Sequence, residues 1–313
     1  MVFMELLRES RKARKVLLLQ STQSEVLVLT SQTLLEAWPL DLTDALESCA
    51  LRGLKVRVLI ESGSLTPSPL VLRLQLAGAE IRQASRKFPW SFRLAPVQGE
   101  IWLFDRTDVV AVNERKGASH KSFSMVVECL MGKEVAHGAA AYFDLRWQSS
   151  SAPVSFSVRH KNYALHCGHQ SAHEFFGCLL AAKKEISLSL PGSRISKKVE
   201  AALHGAMSGG VRVTIYVNAE REDAPALKRL RRLAMGGAVL KICGRRLSSE
   251  CVVVDGTSVY IGSLPVSWRP WTRGHSPVFL VQNRGMSDEI VQALESQVSV
   301  EISAPSATHY AFR

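Results

Sequence analysis

Short β-branched apolar runs alternate along this chain with longer amphipathic stretches. VLVLT (26–30) is an uninterrupted apolar run, the pattern of a strand buried on both faces. Leu34 to Ala50 then carries Leu42, Ala45, Leu46 and Cys49 on one helical face and ends at Arg52-Gly53, where glycine supplies a left-handed cap. A strand over Val56 to Ile60 follows. Next comes a helix over Leu70 to Ala77, opened by Pro67 or Ser68 and closed by Gly78, and a short strand from Glu80 to Arg82. Ile101 to Phe104 and Val109 to Val112 predict a hairpin, Ser124 to Cys129 a further strand, and Lys133 to Trp147 a helix.

The same order then recurs. Ser171-x-x-Glu174 has the form of a capping box before a helix over 172–183. Strands at Glu185 to Leu190, Val211 to Val217 and Val239 to Ile242 alternate with helices at Ser196 to Met207 and Pro225 to Met235. Cys251 to Val254 and Val259 to Ile261 flank Asp255-Gly256, a strong signal for a tight hairpin turn. A strand over Val278 to Gln282 and a helix over Ser287 to Gln297 close the pattern. RGLKVRVLIESG (52–63) aligns with GGVRVTIYVNAE (209–220), and AGAEIRQAS (77–85) with GGAVLKICG (236–244). IWLFDRTDVVAV (101–112) falls where VVVDGTSVYIGS falls in the second half. Each unit reads β-α-β-α-β-β-β-α, which predicts an α/β protein of two lobes, each a mixed sheet flanked by helices. The expected division is a basic helix over 1–23, a first repeat over 24–148, a Ser-rich linker over 149–165, a second repeat over 166–302 and a tail over 303–313.

Asp255, six further residues and Gly262-Ser263 resemble the tail of the phospholipase D superfamily signature, His-x-Lys-x4-Asp-x6-Gly-Ser-x-Asn. That resemblance implies two lobes related by a pseudo-twofold, with the two signatures meeting at their interface. In the family the histidine is the nucleophile or general acid, and the lysine and asparagine bind phosphate. Here Ser248 stands in the histidine position, Glu250 in the lysine position and Pro265 in the asparagine position. In the first half, counting from Asp105, Gln98 and Glu100 stand for the histidine and lysine, Val112-Asn113 for Gly-Ser, and Arg115 for the asparagine.

The frame is kept and the reactive groups are gone. Phosphoryl-transfer chemistry needs preorganised cations or donors aimed at developing negative charge. Two carboxylates facing one cleft would oppose a phosphodiester by several kcal/mol on the Coulomb scale. Neither Ser248 nor Gln98 can form a phosphohistidine, so the expectation is a pseudo-phosphodiesterase, not an enzyme. Substitute chemistry is weaker. His166, Cys167, His169 and His173 cluster, but Ser171 as a cap leaves His169 ahead of the helix, and no metal or other cofactor is expected. Glu100 and Glu250 as an acid–base or cation-binding pair is the other substitute, with His120 and His275 read as structural.

Composition adds two points. A formal net charge of +11 favours a polyanionic partner. The basic residues cluster as Arg11, Lys12, Arg14 and Lys15 with Arg8; as Arg82, Arg86 and Lys87 beside Phe88 and Trp90; and as Lys228, Arg229, Arg231 and Arg232. Arg245 and Arg246 precede the second hairpin, and Trp268, Arg269, Trp271 and Arg273 follow it. Phosphate-binding cations interleaved with tryptophan suit nucleic acid, as DNA or RNA. No helix-turn-helix or zinc finger is present to read a sequence. Alternatively, exposed apolar surface such as WSF (90–92) or SWRPW (267–271) holds the chain in a protein assembly or homodimer. The six scattered cysteines, Cys49, Cys129, Cys167, Cys178, Cys243 and Cys251, suit a reducing cytoplasm. No apolar run is long enough to span a membrane, and the N-terminal order of apolar then basic residues is the reverse of a secretory signal.

Overall fold

The computed structural model describes residues 8–60, 68–83, 99–113, 127–148, 156–167, 169–191, 195–218, 224–244, 247, 250–262, 264, 266 and 278–302. The first half builds α1 (Arg8–Ser21), β1 (Glu25–Thr30), α2 (Gln32–Leu35), α3 (Leu40–Leu51), β2 (Lys55–Ile60), α4 (Pro69–Leu76), β3 (Glu80–Gln83), β4 (Gly99–Phe104), β5 (Asp108–Asn113), β6 (Val127–Met131) and α5 (Lys133–Gln148). Its sheet has the order β3-β2-β1-β4-β5-β6, with β1, β2 and β3 parallel and the remaining pairs antiparallel.

The second half builds β7 (Phe156–His160), β8 (Tyr163–Cys167), α6 (His169–Ala181), β9 (Glu185–Leu190), α7 (Lys197–Ser208), β10 (Arg212–Asn218), α8 (Ala224–Met235), β11 (Val239–Cys243), β12 (Cys251–Val254), β13 (Ser258–Gly262), β14 (Val278–Gln282), α9 (Arg284–Glu295) and β15 (Val298–Ile302). Its sheet runs β15-β11-β10-β9-β12-β13-β14-β8-β7. The central six strands follow the order and directions of the first sheet. The architecture is α/β, two mixed sheets flanked by helices.

Three cores explain the layers. Val26, Val28, Trp102 and Phe104 pack with Leu19 of α1, Leu46 of α3 and Leu74 of α4 on one face of the first sheet. Leu188, Ile215, Val252 and Tyr260 pack with Phe175 of α6, Leu203 of α7 and Leu233 of α8 on one face of the second. The other faces share a core: Leu27, Ile101 and Leu103 join Val253, Ile261 and Phe279 through α5 and α9. Gly138 makes this contact close, since a Cβ there would lie 2.5 Å from Val158 Cγ1 of β7.

Several expectations need correction. The helix expected from Leu34 to Ala50 is two helices, broken at Trp38-Pro39. Proline lacks an N–H and its ring disfavours helical backbone at the residue before it. Ser31 caps the first piece by accepting from Leu34 N. Ser171 is no cap: α6 starts at His169, and the Ser171 hydroxyl is buried in the first turn. Glu174 bonds Arg159 and Gln170 instead. The basic N-terminal helix is part of the first lobe, with α1 packed on α3 as α6 packs on α7. Most of the expected linker is structure. The β7–β8 hairpin joins the second sheet through β8–β14, its apolar positions being too few and too mixed to announce strands. β15, also unforeseen, covers the edge of β11.

Candidate functional site

The frame of the resemblance falls on two hairpins, β4–β5 and β12–β13. Each closes through three residues, 105–107 and 255–257, on a tight turn that takes positive φ at both central positions. Asp255 and Gly256 have φ 53° and 64°, and Asp105 and Arg106 have φ 49° and 56°. Arg106 holds this conformation without glycine's freedom. Its guanidinium bonds Glu25 and, at 2.7 Å, Asp144 of α5.

Both aspartates do the same work. Asp105 accepts from the N–H groups of Gln23, Ser24 and Glu25 at 2.9, 2.8 and 3.0 Å and from the Ser24 hydroxyl at 2.6 Å. Asp255 accepts from the N–H groups of Lys183, Lys184 and Glu185 at 3.0, 2.7 and 3.1 Å. Burial alone would raise both carboxyls. For Asp105 the Ser24 hydroxyl and three N–H groups, and for Asp255 three N–H groups and the Lys184 charge, outweigh it and hold each below the ordinary carboxylate value. Each aspartate therefore ties its hairpin turn to the entry of β1 or β9.

The lysine positions lie at the opposite end of these strands. Glu100 shares a strand face with Trp102 and Phe104, which belong to the core under α1, α3 and α4. Its carboxylate accepts from Thr30 Oγ1 at 2.8 Å, Trp38 Nε1 at 2.6 Å and Trp102 Nε1 at 3.0 Å, and pairs with Lys15 Nζ at 3.5 Å. Lys15 also sits 5.1 Å from the centroid of the Trp102 ring, and the two indoles are 4.7 Å apart. Glu100 is 6% exposed. Glu250 is buried too, and strand alternation sets it on the Val252 and Val254 face, against the core under α6, α7 and α8. The two carboxylates thus occupy the outer cores of two different sheets, with the shared core between them. The expectation that they face one cleft is corrected: both strands turn their odd-numbered apolar residues, Ile101 and Cys251 among them, to the interface.

Gln98 and Ser248 lie outside the described residues, as do Pro265 and Arg115. Cys49, Cys178, Cys243 and Cys251 are free thiols, and burial raises all four, Cys251 and Cys178 to about 12 and Cys243 to about 11. They remain protonated and are poor nucleophiles. Among the described residues no three His, Cys, Asp or Glu side chains are grouped to hold a metal. His169 and His173 do share α6, because the helix begins two residues before Ser171.

The basic clusters divide. Lys15 is consumed by Glu100. Arg232 forms a two-pronged pair with Glu200 at 2.7 and 3.0 Å, and Arg229 lies 3.6 Å from the same carboxylate and donates to the Ile195 carbonyl. These three are structural contacts between helices or between helix and strand, and offer little to a ligand. Lys228 is exposed, and Arg14 is half-buried. Arg82 stacks 4.4 Å from the centroid of the Trp147 ring. The side chains of Arg11 and Lys12, and all of Arg86, Lys87, Arg245, Arg246, Trp268, Arg269, Trp271 and Arg273, lie outside the described residues. Trp38 and Thr30 were not foreseen as partners of Glu100; no spacing in the chain links positions 30, 38 and 100.

No family model and no curated protein matches the chain. Solved structures do. A phosphatidylserine synthase from Haemophilus influenzae Rd KW20 superposes with TM-score 0.67 at 12% identity, over 95% of this chain and 85% of that one. A polyphosphate kinase from Porphyromonas gingivalis superposes with TM-score 0.66 at 16% identity, over 95% of this chain. The fold is phospholipase D-like. The chain spans 46% of the length of the polyphosphate kinase. Nuc from Salmonella typhimurium, a phospholipase D family member, matches 43% of this chain with TM-score 0.39 and 15% identity. No helix among the described residues is long and apolar enough to cross a membrane.

Proposed function

We propose that this phospholipase D-like chain is non-catalytic and binds nucleic acid through basic surface, as a regulator or complex subunit. The observation that carries the loss of catalysis is the environment of Glu100. A carboxylate that accepts from two indoles and a hydroxyl and pairs with a buried ammonium is a built part of the core. It has neither the charge nor the freedom to hold a phosphate. The shared strand order of the two sheets supports a duplicated ancestor.

Binding is supported by charge and topology. Internal salt bridges cancel in equal numbers, so the excess of +11 survives them. Gln83, Gly99, Asn113 and Val127 are strand ends at the edge where β1 finishes, and Cys243, Cys251, Gly262 and Val278 lie at the edge where β9 finishes. The sequence between those ends holds Arg86, Lys87, Arg93, Arg115, Lys116, Lys121, Arg245, Arg246, Arg269 and Arg273. Phosphate contacts release counterions, so affinity falls steeply as salt rises. A gel shift with DNA and RNA oligonucleotides across a salt series, run beside a phosphodiesterase assay, tests both halves. Turnover of a phosphodiester by pure protein refutes the first half, and salt-independent or absent binding refutes the second.

A second reading, a subunit held by protein contacts alone, draws on Leu17 of α1, Leu40 and Leu51 of α3, and Leu72 and Leu76 of α4. All are large, apolar and exposed on the outer helices of the first lobe. Binding of a protein partner at high salt with no oligonucleotide shift would favour it.

A further inference from the structure

His166 and Ser171 carry chemistry that the proposed function does not use. His166 is 1% exposed, and its Nδ1 lies 2.9 Å from Ser157 Oγ on the neighbouring strand β7. Its Nε2 is buried with no hydrogen-bond partner. Ser171 is 6% exposed, and its hydroxyl is likewise buried and unpartnered. Leaving one buried polar group unsatisfied costs about 1–3 kcal/mol, so two within six consecutive residues, 166–171, call for a reason.

Their place in the fold supplies one. His166 shares a face of β8 with Ala164, which belongs to the core beneath α6. Three residues later α6 begins, and Ser171 is in its first turn. The two orphaned groups therefore belong to residues three before and two after the start of a 13-residue helix, whose first N–H groups and dipole favour an anion. The Ser157 hydroxyl can donate to Nδ1, which leaves the proton on Nε2 and makes it a donor. Burial lowers His166 below its ordinary value and keeps the ring neutral. Arg159 and Glu174 act on the ring with opposite signs, and Glu174 is engaged by Arg159 at 3.1 Å and by Gln170 at 3.3 Å.

The end of β8 lies at the same sheet edge as the ends of β9 and β13. Gly262 pairs with Val278, and Val278 with His166, which sets His166 two strands from the Gly262-Ser263 position. Two strand spacings are about 10 Å.

We propose that His166 Nε2, the Ser171 hydroxyl and the first N–H groups of α6 form a binding site for a phosphate group, separate from the lost signature residues. The site recognises the oxygens of a phosphate ester or of free phosphate by neutral donors. It goes beyond the nucleic-acid reading, because it takes a single phosphate whether or not a polynucleotide carries it.

The test is an NMR titration of the full chain, with imidazole nitrogens labelled, by inorganic phosphate and separately by a dinucleotide. The expected result is a saturable shift of the His166 Nε2 resonance. Ser171→Ala should weaken that response at least fivefold while the protein stays folded, and His166→Gln should abolish phosphate-dependent thermal stabilisation. Sulfate acting as well as phosphate would still support an oxyanion site. An unchanged His166 ring at saturating phosphate would overturn the proposal. So would a Ser171→Ala variant that is more stable and responds as before, since that marks a packing defect alone. A response to phosphate with no oligonucleotide gel shift would sink the nucleic-acid reading and leave this one standing.

Discussion

Replacing Lys15 by methionine keeps the length and apolar stem of the side chain and removes its ammonium. Lys15 and Glu100 are 3.5 Å apart, with side chains 10% and 6% exposed. At an effective dielectric of about 20 their gross attraction is about 5 kcal/mol. Desolvation of both groups opposes that figure. Removing one partner of a buried pair costs about 3–5 kcal/mol, because the other charge is left behind. Glu100 keeps three donors, on Thr30, Trp38 and Trp102, so the low end applies. We expect Lys15→Met to lose about 3 kcal/mol in urea unfolding and to lower Tm by about 6–12 °C for a lobe-sized unit. Glu100→Gln keeps an acceptor for the indoles while removing the charge, and the double variant should show a coupling of about 1–3 kcal/mol. A loss in Lys15→Met under about 0.5 kcal/mol, or strict additivity in the cycle, would refute the reasoning. It would mean that the ammonium is in water and that Glu100 is replaceable, and the case against a phosphate site there would weaken with it.

Asp105 and Asp255 are both held below the ordinary aspartate value of 3.8, so their contribution to stability is complete above it and is lost as pH falls through the lowered values. Asp105→Asn and Asp255→Asn should therefore flatten the acid limb of the stability curve below about pH 4, which acid titration followed by circular dichroism reads directly. Gly138→Ala should destabilise by about 1–3 kcal/mol, since the new methyl meets Val158 across the contact between α5 and β7; an unchanged urea midpoint would show that the contact yields. Arg232→Ala should lower stability and leave the salt slope of oligonucleotide binding unchanged, because its guanidinium is spent on Glu200. Arg245→Ala with Arg246→Ala should do the reverse, lowering affinity about tenfold and reducing the salt slope by about two.

Most of the elements, and their order, can be read from apolar periodicity and turn residues alone. An apolar run marked the strand from Val26 to Thr30, because a strand buried on both faces carries no polar interruption. Asp255-Gly256 marked its turn because few residue pairs tolerate positive φ twice. Local rules failed where a contact crosses the chain. Ser171-x-x-Glu174 satisfied a capping pattern, yet β8 delivers the chain into α6 three residues early, and the hydroxyl ends buried in the first turn. The β7–β8 hairpin is stabilised by β14, more than a hundred residues away, and its own sequence gives little sign of it. Only tertiary structure decided that Glu100 faces α1 and not the other lobe. Strand alternation fixes which residues share a face, but which face meets the second sheet depends on where α5 and α9 pack. For the same reason Lys15, Arg229 and Arg232 read as ligand-binding cations in the sequence and serve as internal ion-pair partners in the fold. A positive charge is visible in one dimension, and the carboxylate that claims it, 85 residues away for Lys15, is brought to it only by packing.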